Sequence, residues 1–187
     1  MRLIALIALS FITVGCAMNK PPLQRDEKYS AAWPDISNLG AECKDLDGTY
    51  ANEGFYYDGK GALQSIMLTN IIQTKSHSKD KVVSLKIVPG KIDKNQDSFA
   101  SLQITVEDDK TSIGCFCIKR TLFYVSGSSG GALSPAFGYG SQQNVWLTKA
   151  NDGSLVAKIW NYSAGAAIIV PFYTQSYIWA RFERIGN

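Results

Sequence analysis

The sequence predicts a mainly β protein, an antiparallel up-and-down barrel of about eight strands with one short helix after the first strand. From Lys81 onward apolar and polar residues alternate with a period of two, in short runs that are separated by turn residues. The late run Ala166-Ala167-Ile168-Ile169-Val170 is apolar on both faces. Such a run is typical of a small closed barrel whose wall is also covered from outside.

The first strand and the helix lie early in this predicted domain. Asp47-Gly48 is a turn signal, and the alternating residues after it indicate a strand that ends near Asn52. The loop Asp58-Gly59-Lys60-Gly61 follows. After it, apolar residues recur at the spacing of one helical face, at Leu63, Ile66, Met67 and Ile71. We therefore expect a helix that covers the core.

The remaining strands follow at short intervals. Val83, Leu85 and Ile87 alternate with polar residues until Pro89-Gly90 breaks the pattern. A half-buried antiparallel strand comes next, with Leu102, Ile104 and Val106 on its apolar face. We expect residues 113–125 to form either one long strand or two strands. Four more strands are expected at residues 144–149, 154–160, 165–172 and 177–183, and Asn151-Asp152-Gly153 joins two of them as a tight hairpin turn.

The N-terminus indicates export and anchoring. Arg2 precedes an apolar run from Leu3 to Leu9, which is the pattern of a signal peptide. Val14-Gly15-Cys16 resembles the bacterial lipobox, and this resemblance implies cleavage before a lipidated Cys16. Ala17 implies the outer membrane by the same resemblance. The expected organisation is a signal peptide at 1–15, a polar, proline-containing tether at 16–42 and the barrel domain at 43–187. The N-terminal lipid would tie the protein to the membrane, facing the periplasm.

The two ends of the predicted domain carry a second resemblance. Gly48-Thr49-Tyr50 begins the first strand, and Arg181 lies in the last. The calycin (lipocalin-like) barrels often open with a Gly-x-Trp strand and close with an arginine that packs over that tryptophan. Here Tyr50 stands in the place of the tryptophan. The resemblance implies that Arg181 packs over Tyr50 and closes the barrel.

Composition excludes a nucleic-acid partner. The formal net charge is +3, charged residues are 19% of the chain, and Lys and Arg are scattered among Asp and Glu. The nearest basic cluster, around Lys75 and Lys81, is interrupted by Asp80 and has no aromatic residues for stacking. A solvated loop explains it.

The cysteines predict a disulfide bond and exclude a zinc site. With Cys16 lipidated, Cys43, Cys115 and Cys117 remain, and the only histidine is His77. This set cannot supply four Cys/His ligands at the usual spacing, so no metal is expected. A bond within the Cys115–Cys117 pair would be strained. We therefore expect Cys43 to bond one of them, with Cys117 slightly favoured over Cys115.

No catalytic set emerges, so neither enzyme activity nor a cofactor is expected. Gly127-Ser128-Ser129-Gly130-Gly131 fits the G-x-S-x-G pattern of α/β hydrolases. That motif needs a helix after the serine and a histidine downstream, whereas the following residues are rich in Gly and Pro, and His77 lies upstream. Asp108 and Asp109 are typical of a hairpin turn and not of an acid/base pair.

Binding is the function that remains, in one of two forms. Residues 126–141 predict a long, lid-like loop with Phe137 and Tyr139 over the barrel mouth. Trp146, Trp160 and Trp179 supply aromatic walls that suit a small apolar or amphiphilic ligand. The same residues would also fill a core. The alternative is therefore a non-catalytic structural or interaction lipoprotein, with a filled barrel and an envelope protein as its partner.

Overall fold

A computed structural model describes Leu23 and residues 26–36, 43–74, 78–92, 98–118, 121–134, 137–167 and 170–186. A 3₁₀ turn at Cys43–Leu46 precedes the strands, and the α-helix α1 spans Leu68–Ile71. The strands are β1 (Gly48–Ala51), β2 (Glu53–Tyr57), β3 (Leu63–Met67), β4 (Val82–Ile92), β5 (Ser98–Val106), β6 (Asp109–Ile118), β7 (Thr121–Ser134), β8 (Phe137–Lys149), β9 (Leu155–Ala167) and β10 (Val170–Phe182).

These strands form one antiparallel sheet in the order β1-β4-β5-β6-β7-β8-β9-β10-β2-β3. The sheet curls, so that its first strand meets the end of the chain. The amide of Ala51 donates to the carbonyl of Glu183, and the amide of Ile185 donates to the carbonyl of Thr49, both at 2.8 Å. Strand β1 therefore bonds β4 on one side and the segment after β10 on the other.

The hydrophobic core lies on the concave side of the curled sheet. Alternate residues of each strand point to this side, for example Val83, Leu85 and Ile87 of β4, which are almost fully buried. Leu46 of the 3₁₀ turn and Leu68 of α1 pack into the same cluster. Its largest fully buried side chains include Tyr50, Tyr124, Leu102, Leu122, Leu147 and Phe182. We call the part of the sheet whose concave side carries this cluster the body. The concave side of the body is packed with side chains.

The mainly antiparallel β fold with one short helix agrees with the prediction, but the described residues form ten strands where about eight were expected, and the helix begins later than its apolar spacing indicated. Residues 63–67 form β3, which pairs with β2, and only one helical turn follows. The cause is turn chemistry. The Asp58 carboxylate accepts the amides of Lys60 and Ala62, and Gly61 has a positive φ of 78°. This geometry makes the expected loop a hairpin turn, so that residues 63–67 return along β2 as a strand where a helix was expected.

The late strands also differ from the prediction. The expected loop at 126–141 lies largely within β7 and β8, which pair from Leu122–Leu147 outward to Ser134–Phe137. The expected strand at 165–172 instead spans the end of β9 and the start of β10, where Ala167 pairs with Val170. Main-chain pairing with neighbouring strands keeps these Gly-, Ser- and Ala-rich segments extended, and intrinsic propensity does not report such pairing.

Asn52, between β1 and β2, fixes the position of α1. Its side-chain carbonyl accepts the amide of Thr69 at 2.9 Å, and its main-chain carbonyl accepts the amide of Leu68 at 2.8 Å. Its side-chain amide donates to the carbonyl of Ser78 at 2.6 Å. Asn52 is fully buried, so these bonds offset the desolvation of its amide. Helix α1 is thereby held over one end of the concave side.

Residues 26–36, in the predicted tether, lie on the convex side against β9 and β10. Asp26 accepts hydrogen bonds from Lys158 Nζ at 2.6 Å and from Trp179 Nε1 at 2.9 Å. Tyr29 is 4% exposed and meets Trp179 edge to face, with ring centroids 5.1 Å apart. This part of the tether is therefore packed against the domain.

Candidate functional site

The tryptophans expected to line a barrel interior lie on the convex side. Trp146 alternates along β8 with Val145 and Leu147, which belong to the concave core. Its ring lies 5.2 Å from that of Phe123 and 6.0 Å from that of Trp160. The structure thus brings Trp146 and Trp160 together as an outer aromatic stack.

Trp179 also faces outward, because its neighbour Ala180 belongs to the concave core. It packs with Tyr29, Ala150 and Val156 in a second apolar cluster under the N-terminal segment. The prediction could not place these tryptophans, since both faces of the late strands are apolar and alternation does not tell which face is concave.

Of the two predicted lid residues, Tyr139 is the one whose side chain the structure describes. It is 44% exposed, and its pKa is lowered by hydrogen bonds with the hydroxyls of Ser141 and Ser163. Phe137 begins β8, and its side chain lies outside the described part. Tyr139 therefore belongs to a strand, on the same face as Ser141.

An open polar groove lies at the distal end of the concave side, beyond the body, with a volume of about 550 Å³. It lies where the inward positions of β8 and β9 change from aliphatic to polar residues. Its lining residues are Gln73, Gly127, Ser141, Gln142, Gln143, Asn161, Tyr162 and Ser163. Across the strands, Gln143 Nε2 donates to Asn161 Oδ1 at 2.9 Å. This bond orients both amides.

Gln73 reaches the groove from the segment after α1. Its φ is +52°, a left-handed conformation that costs a residue with a Cβ about 1 kcal/mol or more. Ser126 Oγ holds this segment against β7 by donating to the carbonyl of Ile71 at 2.6 Å. A Cβ added at Gly127 would lie 2.8 Å from Gln73 Nε2. Glycine at position 127 therefore leaves room for the Gln73 amide.

The described lining of the groove is chemically neutral, since it consists of amides, hydroxyls, glycine and a tyrosine. An amide offers both donors and acceptors, and a hydroxyl can act as either. The lining can therefore satisfy an uncharged ligand that is itself rich in hydroxyl groups. Among the residues that the structure describes, the lining supplies no carboxylate, imidazole or thiol for acid/base or nucleophilic chemistry.

Sequence reasoning missed these residues, although one signal was present. Leu147 and Val145 of β8 point inward. Two and four residues before Val145, the same face of β8 carries Gln143 and Ser141. Along β9, Asn161 and Ser163 continue the inward face of Ala157 and Ile159. A period-two series that changes from aliphatic to amide and hydroxyl residues marks the end of a packed interior.

The cysteines adopt the arrangement that the sequence slightly favoured. Cys43 is bonded to Cys117, with their Cα atoms 5.8 Å apart, and this bond joins the 3₁₀ turn to β6. Cys115 is free and fully buried, and its thiol donates to the carbonyl of Ala100 at 3.2 Å. Burial raises the pKa of Cys115 to about 11. Its thiol therefore stays protonated at neutral pH and is a poor nucleophile.

The structure does not bring Arg181 to Tyr50. Arg181 donates to Asp152 Oδ2 at 2.5 Å and to Ser154 Oγ at 3.0 Å. Tyr50 is fully buried, and its hydroxyl donates to the carbonyl of Leu46. The arginine opposite Tyr50 is Arg184, whose guanidinium lies so close to Gly48 that an added Cβ would be 3.2 Å from its Nη2.

The remaining predicted motifs have plain structural positions. Residues 127–131, which match the hydrolase pattern, lie inside β7, and the next described element is the strand β8. Asp108 lies in the turn between β5 and β6, and Asp109 begins β6. His77 and Cys16 lie outside the described residues, as do the signal peptide and the lipobox.

Metal ligands and membrane-spanning helices are two further features that can be stated for the described residues. The described residues contain no group of three or more His, Cys, Asp or Glu side chains placed to hold a metal ion. In the same part of the chain, no helix has the length and apolarity needed to cross a membrane.

Comparisons with protein-family models, curated proteins and solved structures returned no match. Function is therefore inferred from the chemistry of the groove itself.

Proposed function

We propose that this protein is a non-catalytic, lipid-anchored binding protein of the bacterial cell envelope, whose polar groove holds an uncharged, hydroxyl-rich ligand such as a short glycan. The observation that carries this proposal is the groove lining, in which Gln143 and Asn161 are aligned by their mutual hydrogen bond. Prealigned polar groups lower the ordering cost of binding and fix the orientation of a ligand.

The left-handed Gln73 supports the same proposal. Strained backbone conformations persist where the surrounding structure holds them, and they cluster at binding sites. Asn52 and Ser126 hold the helix that precedes Gln73, and Gly127 leaves space for its amide. The strain is therefore stored in a residue that lines the groove.

A small apolar ligand inside the sheet, the function expected from sequence, has less support. The aromatic walls proposed for it face the convex side, and the concave body is packed with side chains such as Tyr124 and Leu102. The structural and interaction alternative fits such packing. The polar groove favours binding over that alternative, because a scaffold has no need of aligned amides.

The test is a titration of the ¹⁵N-labelled full chain with chitotetraose and, separately, with maltotetraose. We expect saturable shifts of the side-chain amide signals of Gln73, Gln143 and Asn161 with at least one of them. Asn161→Ala should weaken that binding tenfold or more, because it removes one amide and leaves the Gln143 amide without its partner.

Gln103→Ala is the matched control, since Gln103 is an exposed amide on β5, outside the groove. It should leave the affinity unchanged. If neither tetrasaccharide shifts the three amides, the glycan proposal fails and the interaction alternative becomes the better one.

The anchor is proposed from the sequence alone, on the lipobox-like Val14-Gly15-Cys16. Cys16→Ser should abolish labelling by a fatty-acid analogue and release the protein from the membrane fraction. Each buried CH₂ of an acyl chain contributes about 0.8 kcal/mol to membrane affinity, so loss of the lipid removes most of the attachment. Unchanged membrane association of the variant would contradict this proposal.

We also infer that the curled sheet closes into a lipocalin-like barrel, in which β1 and β2 act as one strand bent at Asn52. The bonds of Thr49 and Ala51 to residues 183–185, together with the pairing of Phe55 with Arg181, support continuous contact along this strand. Counted in this way, the ring contains eight strands and β3 lies outside it. Arg184 would then act as the closing arginine, in place of Arg181.

Ile185→Pro tests the closure, because proline removes the amide that donates to Thr49. We expect a loss of about 1 kcal/mol or more in the free energy of unfolding relative to Ile185→Ala, which keeps that amide. Equal stability of the two variants would show that the bond contributes nothing to closure.

A further inference from the structure

A second recess lies on the convex side, where residues 26–36 cross β10 and β2. Its volume is about 230 Å³. Trp33, Phe55, Tyr57 and Leu63 form its apolar walls, while Glu53, Glu183 and Arg181 supply its charged groups. The recess is separate from the polar groove, which lies on the concave side.

Three strands place these walls on one face. Glu53, Phe55 and Tyr57 occupy alternate positions of β2, and Phe55 pairs with Arg181 across the strands. Leu63 of β3 pairs with Tyr57. Phe55 is 43% exposed, Tyr57 37% and Leu63 53%, so three large apolar side chains meet solvent at one place. A contiguous apolar patch of this kind is characteristic of a binding surface.

The fourth wall comes from the N-terminal segment and is held in place. The ring of Trp33 lies 5.8 Å from that of Tyr57 and meets Tyr29 edge to face at 5.7 Å. Tyr29 itself is buried against Trp179. Trp33 is therefore positioned before any ligand arrives, which lowers the entropic cost of binding.

The charges of the recess favour a cation. Arg181 is neutralised by Asp152, and Glu53 forms an ion pair with Lys79 at 3.1 Å. Among the described residues, no cation forms an ion pair with the carboxylate of Glu183. Aromatic faces with a carboxylate nearby attract an ammonium group, because the ring quadrupole and the negative charge act in the same direction.

Two neighbouring aromatic rings on the convex side already contact ammonium groups of the protein itself. Lys28 Nζ lies 4.0 Å from the ring centroid of Tyr177, and Lys158 Nζ lies 5.0 Å from that of Trp179. The convex face thus uses its aromatic rings to hold ammonium groups where the N-terminal segment packs.

We propose that the recess formed by Trp33, Phe55, Tyr57 and Glu183 binds an organic ammonium group. The ammonium would lie against the aromatic rings with Glu183 beside it, and its apolar substituents would contact Leu63. Such a group occurs in free amines and in the headgroups of zwitterionic lipids. The two sources share the same recognition chemistry.

Calorimetric titration of the full chain with choline tests the proposal, and 3,3-dimethylbutan-1-ol serves as the uncharged molecule of the same shape. We expect choline to bind at least tenfold more tightly than the alcohol. Trp33→Leu should abolish the preference, and Glu183→Gln should reduce it while leaving the fold intact, because Glu183 is exposed. Trp160→Leu, which alters a convex tryptophan outside the recess, should leave it unchanged.

Equal affinity for choline and the alcohol, or no binding of choline, would overturn the proposal. Vesicles separate the two sources. If phosphatidylcholine vesicles bind wild type better than Trp33→Leu, while phosphatidylglycerol vesicles do not distinguish the two, the ligand is a lipid headgroup. Binding of choline without any difference among vesicles assigns the site to a free amine. Neither result depends on the saccharide groove.

Discussion

The body and the distal end of the curled sheet share strands but differ in what their concave side carries. In the body, Leu147 of β8 and Ala157 of β9 are fully buried in the core. Toward the other end of the same strands, Ser141 and Ser163 occupy the equivalent inward positions and line an open groove. Main-chain pairing is continuous along both parts. Backbone pairing therefore extends a strand, whereas side-chain composition decides whether its concave face becomes core or binding surface.

The disulfide should have the largest effect, and it belongs to the body. Replacing Cys43 and Cys117 together by Ala should lower the free energy of unfolding by about 4 kcal/mol, because the bond spans 74 residues and restricts the unfolded chain. Denaturant unfolding measures this difference. Cys115→Ala, which removes the free buried thiol, is the control and should cost much less. A double variant as stable as that control would contradict the prediction.

Two substitutions on the concave face of β8 test the comparison directly. Leu147→Ala should cost about 2 to 5 kcal/mol of unfolding free energy, because it leaves a cavity in a packed core. Ser141→Ala, on the same face of the same strand, should cost about 0.5 kcal/mol or less, since the groove is open to water. Thermal or denaturant unfolding of the two variants gives the ratio. Similar costs would show that the distal strands are packed as tightly as the body.

The N-terminal segment should stabilise the body from its convex side, with a defined pH dependence. Burial alone would raise the pKa of Asp26, but hydrogen bonds from Lys158, Trp179 and the Lys28 amide outweigh it, and the pKa is lowered. A lowered folded-state pKa adds stability above the unfolded pKa, and this stability is lost as pH falls through the folded value. Asp26→Asn should therefore cost about 1 kcal/mol at neutral pH.

The difference between Asp26→Asn and wild type should shrink below about pH 4, where the carboxylate of the unfolded chain is protonated. Unfolding free energies measured from pH 7 to pH 3 test the prediction. Glu27→Gln, a substitution at the neighbouring exposed carboxylate, is the control and should cost less than Asp26→Asn at neutral pH. A difference that stays constant over this range would contradict the role assigned to the Asp26 charge.

The smallest effect concerns the strained glutamine of the distal groove. Gln73→Gly should raise the free energy of unfolding by up to about 1 kcal/mol, because glycine adopts a positive φ without strain. The same change removes the amide from the groove and should weaken saccharide binding. Opposite signs for stability and affinity would identify a functional strain, whereas a loss of both would indicate an ordinary structural residue.

The sequence predicted the parts of the fold that local patterns report. Alternation located β4 and β5, and Asp47-Gly48 marked the start of β1. The sequence pattern did not reveal the hairpin between β2 and β3, because the apolar spacing at Leu63 and Ile66 also fits a helix. It missed the distal halves of β7 to β10, since pairing between glycine- and serine-rich strands is a tertiary effect.

The candidate site was harder to predict than the fold. The prediction relied on conspicuous aromatic residues, and Trp146, Trp160 and Trp179 all lie on the convex side. The groove residues Gln143 and Asn161 are common surface types, and only their register across β8 and β9 brings their amides together. The alternation of residues within one strand does not predict its register with a neighbouring strand.

The bonds of Thr49 and Ala51 to the segment after β10 have a consequence for the order of folding. They join the first strand to the last residues of the domain, so they form only when the whole chain is present. The hairpins β5–β6, β8–β9 and β9–β10 contain contacts close in sequence and can form early. Contacts between distant residues must overcome a larger loop-closure entropy. We expect β1 and the segment after β10 to meet last, which leaves the outer edge of β1 and residues 183–185 briefly unpaired and open to association with other chains.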